Sequence, residues 1–223
     1  MIPEVSKYYD GLDRAHDILR NRYEAADLAA THDELTGVLN KAGLNRELRD
    51  IDASNEQVAV LFIDGDNIKT INDNLGHDAG DRAIIGTART LDACLRGGDI
   101  VARVGGDEFI VLLRVKARGE SPEISLADKV TAATARLKVC VDEFQQENID
   151  LYNEGFDLSV GSAVRQAGES LDQTKHRADT AMYADKARSR HNLSPDQLHA
   201  LAHITKLAAE AGLNLRHIVQ IVS

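Results

Sequence analysis

Two clusters of acids carry the chemical interest of this 223-residue chain. Asp64-Gly65-Asp66 follows the apolar run Val58 to Ile63, and Asp107-Glu108 follows the dipeptide Gly105-Gly106. Taken singly, a carboxylate just past an apolar strand is often only a solvated turn residue. Brought together from adjacent strand ends, carboxylates repel one another unless a cation sits between them. Hard oxygen ligands with open positions suit Mg²⁺, which is held by one or two carboxylates plus substrate phosphates. A metal pair of that kind lowers the pKa of a hydroxyl nucleophile and neutralises charge on a leaving pyrophosphate. Gly105-Gly106 at a hairpin tip lets backbone N–H groups approach an anion with no side chain in the way. A plain two-residue turn has the same sequence. The acids beside it, and the cations Lys69, Lys186 and Arg190, favour the anion site. Lys186 and Arg190 are spaced i, i+4 and share one face of a helix, as triphosphate clamps or as solvated surface residues.

The elements that must position these groups alternate along the chain. Val58 to Ile63 is a continuous apolar run of strand length, as expected for a strand buried on both faces. A helix follows, with Ile84, Ala88, Leu91 and Leu95 on one side. Asp99 to Val104 and Glu108 to Val115 form two short strands around the glycines, a hairpin pattern. Ser125 is placed to cap a helix whose Leu126, Val130, Ala133, Leu137, Cys140 and Phe144 recur in steps of four and three. Asp157 to Ala163 is a further strand, and Ser170 to Lys186 a further helix. The order β-α-β-β-α-β predicts an α+β fold of the ferredoxin-like, palm-like plan: an antiparallel sheet with flanking helices, expected on one face. It places Asp64 and Gly105-Gly106 where both can face one cleft.

Residues 1–30 read as a helix. Val5, Leu12, Leu19 and Ala26 fall on one heptad position; Tyr8, Ala15, Arg22 and Ala29 fall on another. That thin seam fits either a dimerising coiled coil or an amphipathic helix lying on its own domain. From Ser194-Pro195-Asp196 a C-terminal helical extension over 193–223 is expected, with Leu198, Leu201, Ile204 and Leu207 as its apolar face and no chemistry of its own. The central unit is then 31–192.

A composition of 43% hydrophobic and 28% charged residues fits a globular domain and excludes disorder. The net charge of −10 disfavours a nucleic-acid partner. No apolar run approaches membrane-spanning length, and Met1 to Val5 carries no secretion-signal pattern, so a cytoplasmic protein is expected. The two cysteines, Cys94 and Cys140, lie in apolar-periodic stretches and read as core thiols of a reducing compartment.

Arg103-Val104-Gly105-Gly106-Asp107-Glu108-Phe109 resembles the signature of the GGDEF family of diguanylate cyclases. Four more segments resemble that family's motifs in its order. Asp33 to Lys41 resembles D-x-L-T-G-L-x-N-R, and Asp64 to Asp73 resembles D-x-D-x-F-K-x-I-N-D. Gly76 to Asp81 resembles G-H-x-x-G-D, and Ala178 to Lys186 resembles A-D-x-A-[LM]-Y-x-A-K. Together they cover 31 to about 191.

The resemblance implies a metal-dependent enzyme that condenses two GTP into cyclic di-GMP, releasing two pyrophosphates, across a homodimer in which each domain presents one GTP. Asp64, Asp107 and Glu108 would be the catalytic acids. Two Mg²⁺ per active site, with Mn²⁺ as a substitute, would be held by Asp64, the Gly65 carbonyl, Asp107 and Glu108. Gly105 and Gly106 would admit the inner phosphates, and Lys69, Lys186 and Arg190 would hold the outer ones. Asn72 and Asp81 would read guanine, with His77 of the same motif beside the substrate. Arg96-Gly97-Gly98-Asp99 matches the family's R-x-x-D inhibitory site. There Arg96 could donate to guanine O6 and N7, and Asp99 could accept from its Watson–Crick edge.

Several positions depart from the pattern. Val38 and Lys41 are mild changes, Ile68 replaces the usual Phe, and Gly65 replaces a commonly apolar residue. Ser189 and His191 replace the usual Gly and Asn near Arg190. No acid is lost, which argues against the alternative of a non-catalytic module that binds GTP or cyclic di-GMP. Asp81, where relatives making a mixed GMP–AMP product resemble a serine type, argues for guanine on both sides.

Overall fold

The computed structural model describes residues 3–54, 56–114 and 125–191, with side-chain placement between 14 and 187. The expected extension over 193–223, the side chain of Arg190 and the heptad side chains Val5, Tyr8 and Leu12 lie outside the described residues.

Strand β1 (Val58–Gly65) is the centre of the fold, and all eight of its residues are buried. Alternation sends Ala59, Leu61 and Ile63 into one core and Val58, Val60 and Phe62 into another. β1 pairs antiparallel with β3 (Glu108–Arg114) on one side and with β4 (Leu158–Val164) on the other. β2 (Ile100–Arg103) pairs antiparallel with β3, so the strand order is β2-β3-β1-β4. This is the expected βαββαβ plan.

Helices cover both faces of the sheet, where one was expected. α3 (Ile68–Leu75), α4 (His77–Cys94) and α5 (Leu126–Glu147) contribute Ile71, Ala83, Leu91 and Leu137 to the first core. The short α6 (Ile149–Asn153) adds Leu151. α2 (Lys41–Ser54) and α7 (Leu171–His191) close the second, with Leu44, Leu48, Ile51, Ala178 and Met182. A strand apolar on both alternating sets demands a layer on each side, because each buried aliphatic side chain is worth about 1.5–3 kcal/mol.

Local chemistry sets the boundaries. The Ser125 hydroxyl oxygen accepts from the Asp128 N–H at 3.1 Å and caps α5 as expected. Gly76, at φ 88, breaks what read as one helix into α3 and α4. α7 lies directly on β4 at Gly161, where an added Cβ would sit 2.0 Å from the Met182 nitrogen.

α1 (Pro3–Thr31) spans 29 residues, and its described side chains from Arg14 to Ala26 are all exposed. Ile18, Leu19 and Tyr23 are 58, 66 and 73% exposed. Between Arg14 and Ala26, then, the helix does not lie on its own domain.

The reading of Cys94 and Cys140 as separate core thiols is corrected. α4 and α5 run side by side and bring the two, 46 positions apart, to a Cα separation of 6.9 Å, where they form a disulfide. Cys94 is buried as expected; Cys140 is only half-buried.

Candidate active site

The acids meet at one end of the sheet because register requires it. Asp64, near the end of β1, pairs with Glu108 of β3 on one side and Ser159 of β4 on the other. The Gly65 N–H donates to the Asp107 carbonyl at 3.0 Å, and the Asp66 N–H to the Asp157 carbonyl at 2.8 Å. Asn67 then takes the left-handed conformation (φ 60) and turns the chain into α3. Its amide donates to the Gly155 carbonyl at 2.7 Å, which pins the turn. Asp64, Asp66, Asp107 and Glu108 thus share one rim.

A cation from α7 faces them. The Lys186 ammonium donates to Asp64 Oδ1 and lies 3.5 Å from Asp66 Oδ1. Asp66 Oδ2 accepts from the Ser159 hydroxyl at 2.6 Å, whereas its buried Oδ1 has no hydrogen bond among the described residues. Burial pushes the Asp64 carboxyl up to about 6; Lys186 pulls it back, and the neighbouring Asp107 and Asp66 add to the rise. Asp66 is raised as well, again chiefly by burial, with Ser159 and Lys186 opposing. Among the described residues, Asp64 and Asp66 share the single ammonium of Lys186.

This donor set fits a divalent cation shared with a ligand. Its oxygens are hard, the Asp64 and Asp107 carboxylates repel one another, and Asp66 Oδ1, 3.5 Å from the Lys186 ammonium, is buried with no hydrogen bond among the described residues. Among the described residues no three His, Cys, Asp or Glu side chains converge into a closed cage. Mg²⁺ held by carboxylates and completed by phosphate oxygens needs none.

The hairpin tip adds the anion-facing part. The Val104 N–H donates to the Glu108 carbonyl at 2.9 Å and closes the turn. A Cβ at Gly105 would come within 2.6 Å of Glu108 Oε2, so that side chain folds over the loop. At Gly106 a Cβ would meet nothing within 4 Å. The backbone there is open to a ligand.

Of the residues singled out by sequence, Asp64, Gly65, Gly105, Gly106, Asp107, Glu108 and Lys186 are brought into this one region. Asn72 is half-buried on α3; Lys69 on α3 and His77 and Asp81 on the first turns of α4 are exposed. Arg96 and Asp99 lie in the α4–β2 loop, at the end of β2 away from the glycine turn. Asp99 Oδ2 accepts from the Arg96 N–H and Oδ1 from the Arg114 N–H, each at 3.2 Å. The loop borders a groove of about 580 Å³ that is also lined by His32, Thr36, Arg89 and Asp92. Ser159 is the residue that sequence reasoning missed. Residue type alone does not set it apart from Ser162 of the same strand.

A family model described as "Diguanylate cyclase, GGDEF domain" matches residues 30–192. The diguanylate cyclase TpbB of Pseudomonas aeruginosa is 40% identical over 177 residues, which cover 75% of this chain and 38% of that protein. The diguanylate cyclase DgcM of Escherichia coli is 32% identical over 185 residues, covering 80% of this chain and 42% of that one. The chain thus spans about two fifths of the length of these relatives. A crystal structure of the coiled coil and GGDEF domain of DgcB from Caulobacter crescentus, in complex with c-di-GMP, shares the fold. Its TM-score is 0.66 at 23% identity, over 82% of this chain and 94% of that one.

Proposed function

Because the chain belongs to the GGDEF family of diguanylate cyclases, we propose that it condenses two GTP into cyclic di-GMP and two pyrophosphates. The observation that carries this reading is the register of Asp64 opposite Glu108, with Asp107 and the open Gly106 beside them. In each half-reaction the 3′-oxygen of one GTP forms a bond to the α-phosphorus of the other. The bond from that phosphorus to the bridging β-phosphate oxygen breaks, pyrophosphate leaves, and the hydroxyl proton is lost. Two such steps close the ring.

Asp64, the Gly65 carbonyl, Asp107 and Glu108 would hold two Mg²⁺, or Mn²⁺ in their place. Bound there, the metal supplies an acidified hydroxyl and charge neutralisation at the phosphates. The glycine turn gives the inner phosphates backbone donors, and Lys186, Lys69 and Arg190 hold the outer ones. Asn72 and Asp81, with His77 near them, read the base: a carboxylate accepts from guanine N1–H and N2–H₂, which adenine does not offer.

One domain presents one GTP, so the reaction needs two copies. The exposed apolar side chains Ile18, Leu19 and Tyr23 of α1 support a homodimer that pairs through this helix. Arg96 and Asp99, beside their groove, would bind the product and restrain the enzyme. A GTP substrate supports a cytoplasmic location; among the described residues no helix is long and apolar enough to cross a membrane.

The test is incubation of purified protein with GTP and Mg²⁺, with products read by chromatography and mass. Cyclic di-GMP that vanishes with Asp64→Ala or Asp107→Asn is the expected result. Undiminished product in either variant removes the metal assignment, and binding of GTP without any product removes the cyclase.

A further inference from the structure

A glycine stands inside a helix where alanine would be the better helix former. Gly80 lies in the first turn of α4, buried, with no left-handed φ to require it. Glycine at such a position weakens a helix relative to alanine by about 0.5–1 kcal/mol, so the space around it must explain its presence. A Cβ at Gly80 would lie 2.0 Å from Asn72 Oδ1, 2.8 Å from its Cγ and 3.2 Å from its Nδ2. The three nearest atoms are thus all in one carboxamide. Asn72 reaches across from α3, whose chain turns at Gly76, where the Gly76 N–H donates to the Asn72 carbonyl at 3.0 Å. Its backbone is tied down, and its amide head occupies the room that a methyl group would take.

We propose that Gly80 is a positioning residue for base recognition: it leaves the space that seats the Asn72 amide next to Asp81, and so sets the preference for guanine. This rests on the reading that Asn72 contacts the base. Gly80 touches no ligand in this account. A methyl group there turns the Asn72 side chain about χ1 and χ2, which moves its donor and acceptor while the backbone stays in place. The Asp81 carboxylate, on the next residue, is left to read the base alone.

The test compares the parent, Gly80→Ala, Asn72→Ala and the double variant in the full chain. Binding of the α,β-methylene analogues of GTP and ATP, which cannot condense, is measured beside melting temperature. Gly80→Ala and Asn72→Ala should each lower the guanine-over-adenine preference, roughly tenfold for a lost hydrogen bond. The double variant should be no worse than Asn72→Ala, because both act through one amide. Melting should separate the two backgrounds. Gly80→Ala raises the melting temperature of Asn72→Ala, where the methyl finds no amide and only helix propensity remains, and leaves the parent without that gain. This comparison holds even if Gly80→Ala alone folds poorly. Destabilisation in both backgrounds, fully additive losses of preference, or a Gly80→Ala protein that selects guanine like the parent each overturn the proposal. An Asn72→Ala protein with unchanged preference overturns the base-reading role of Asn72 itself, and the inference about Gly80 goes with it.

Discussion

Arg103 donates from Nη1 to both carboxylate oxygens of Asp33, at 2.9 and 3.1 Å. The same guanidinium donates from Nε and Nη2 to the Gly106 carbonyl, at 3.0 and 2.8 Å. Asp33 also accepts from the N–H and hydroxyl of Thr36, at 3.0 and 2.6 Å, and stands two residues past the end of α1. A single side chain thereby joins the exit of the N-terminal helix to the glycine turn of the active site. Both partners are half-buried, so the charge-assisted bonds are less screened than surface pairs.

Arg103→Ala should therefore loosen the turn without removing any phosphate-facing backbone group. Hydrogen bonds to charged groups contribute about 1.5–3 kcal/mol. Felt as lost positioning, this is about ten- to a hundredfold in condensation rate. Asp33→Asn, which keeps the Thr36 contacts but weakens the hold on Arg103, should fall between parent and Arg103→Ala. Rates for Arg103→Ala within twofold of the parent would show that the turn holds its shape unaided.

Ser159→Ala tests the buried acid beside the metal ligands. Ser159 is fully buried and donates the only hydrogen bond that Asp66 Oδ2 receives among the described residues. Without it a buried carboxylate loses a partner, at a cost of about 1–3 kcal/mol. Urea unfolding should show that loss as a lower midpoint with an unchanged slope. An unshifted midpoint would mean that Lys186 alone satisfies Asp66.

What could be read from sequence was what is local. The run Val58 to Ile63 declares a strand with two apolar faces, and β1 is that strand. The acids at its end and beside Gly105-Gly106 could be placed on one rim from strand order alone. The Asp66–Ser159 contact joins residues 93 positions apart, and nothing in either segment announces it. The Cys94–Cys140 pairing depends on how α4 lies against α5, which helical periodicity leaves open. α2 was legible too: Leu44, Leu48 and Ile51 have the helical spacing of a one-sided apolar stripe, and all three are buried. The split between α3 and α4 turns on one positive φ at Gly76.

The raised Asp64 carboxyl predicts how folding responds to acid. Its ordinary value is 3.8, and burial takes it to about 6 in the folded chain. The folded state therefore holds this proton more tightly, so stability rises as pH falls through 6 and the gain is complete near 4. Asp66 acts in the same sense. Asp33 and Glu169 act in the opposite one. Burial raises Asp33, but hydrogen bonds from Thr36 and Arg103 outweigh it; Arg177 lowers Glu169. Their stabilisation is lost only as pH drops below their ordinary values. In EDTA, then, the melting temperature should climb between pH 7 and 5. Asp64→Asn should flatten that slope and melt higher than the parent at pH 7. A parent whose melting temperature is level or falls over this window would contradict the charge crowding described for the site.

Gly161→Ala tests how Lys186 is delivered to the acids. A Cβ at Gly161 would lie 2.0 Å from the Met182 nitrogen and 2.2 Å from the Ala178 carbonyl oxygen, both backbone atoms of α7. The helix cannot relieve this by changing a rotamer; it must move away from β4 as a body. Met182 and Ala178 are themselves fully buried, so the shift also opens the core on that face. Overpacking of this kind costs about 1–3 kcal/mol. Lys186 lies one turn beyond Met182 and would be carried off Asp64 with the helix. Gly161→Ala should thus melt lower and also bind the α,β-methylene analogue of GTP more weakly. Met182→Ala in the same chain distinguishes the cause. Trimming a side chain does not remove a clash with backbone, so the double variant should recover neither stability nor affinity. Recovery of both would show that α7 is held off by the methionine side chain, and that its backbone keeps its distance from the strand.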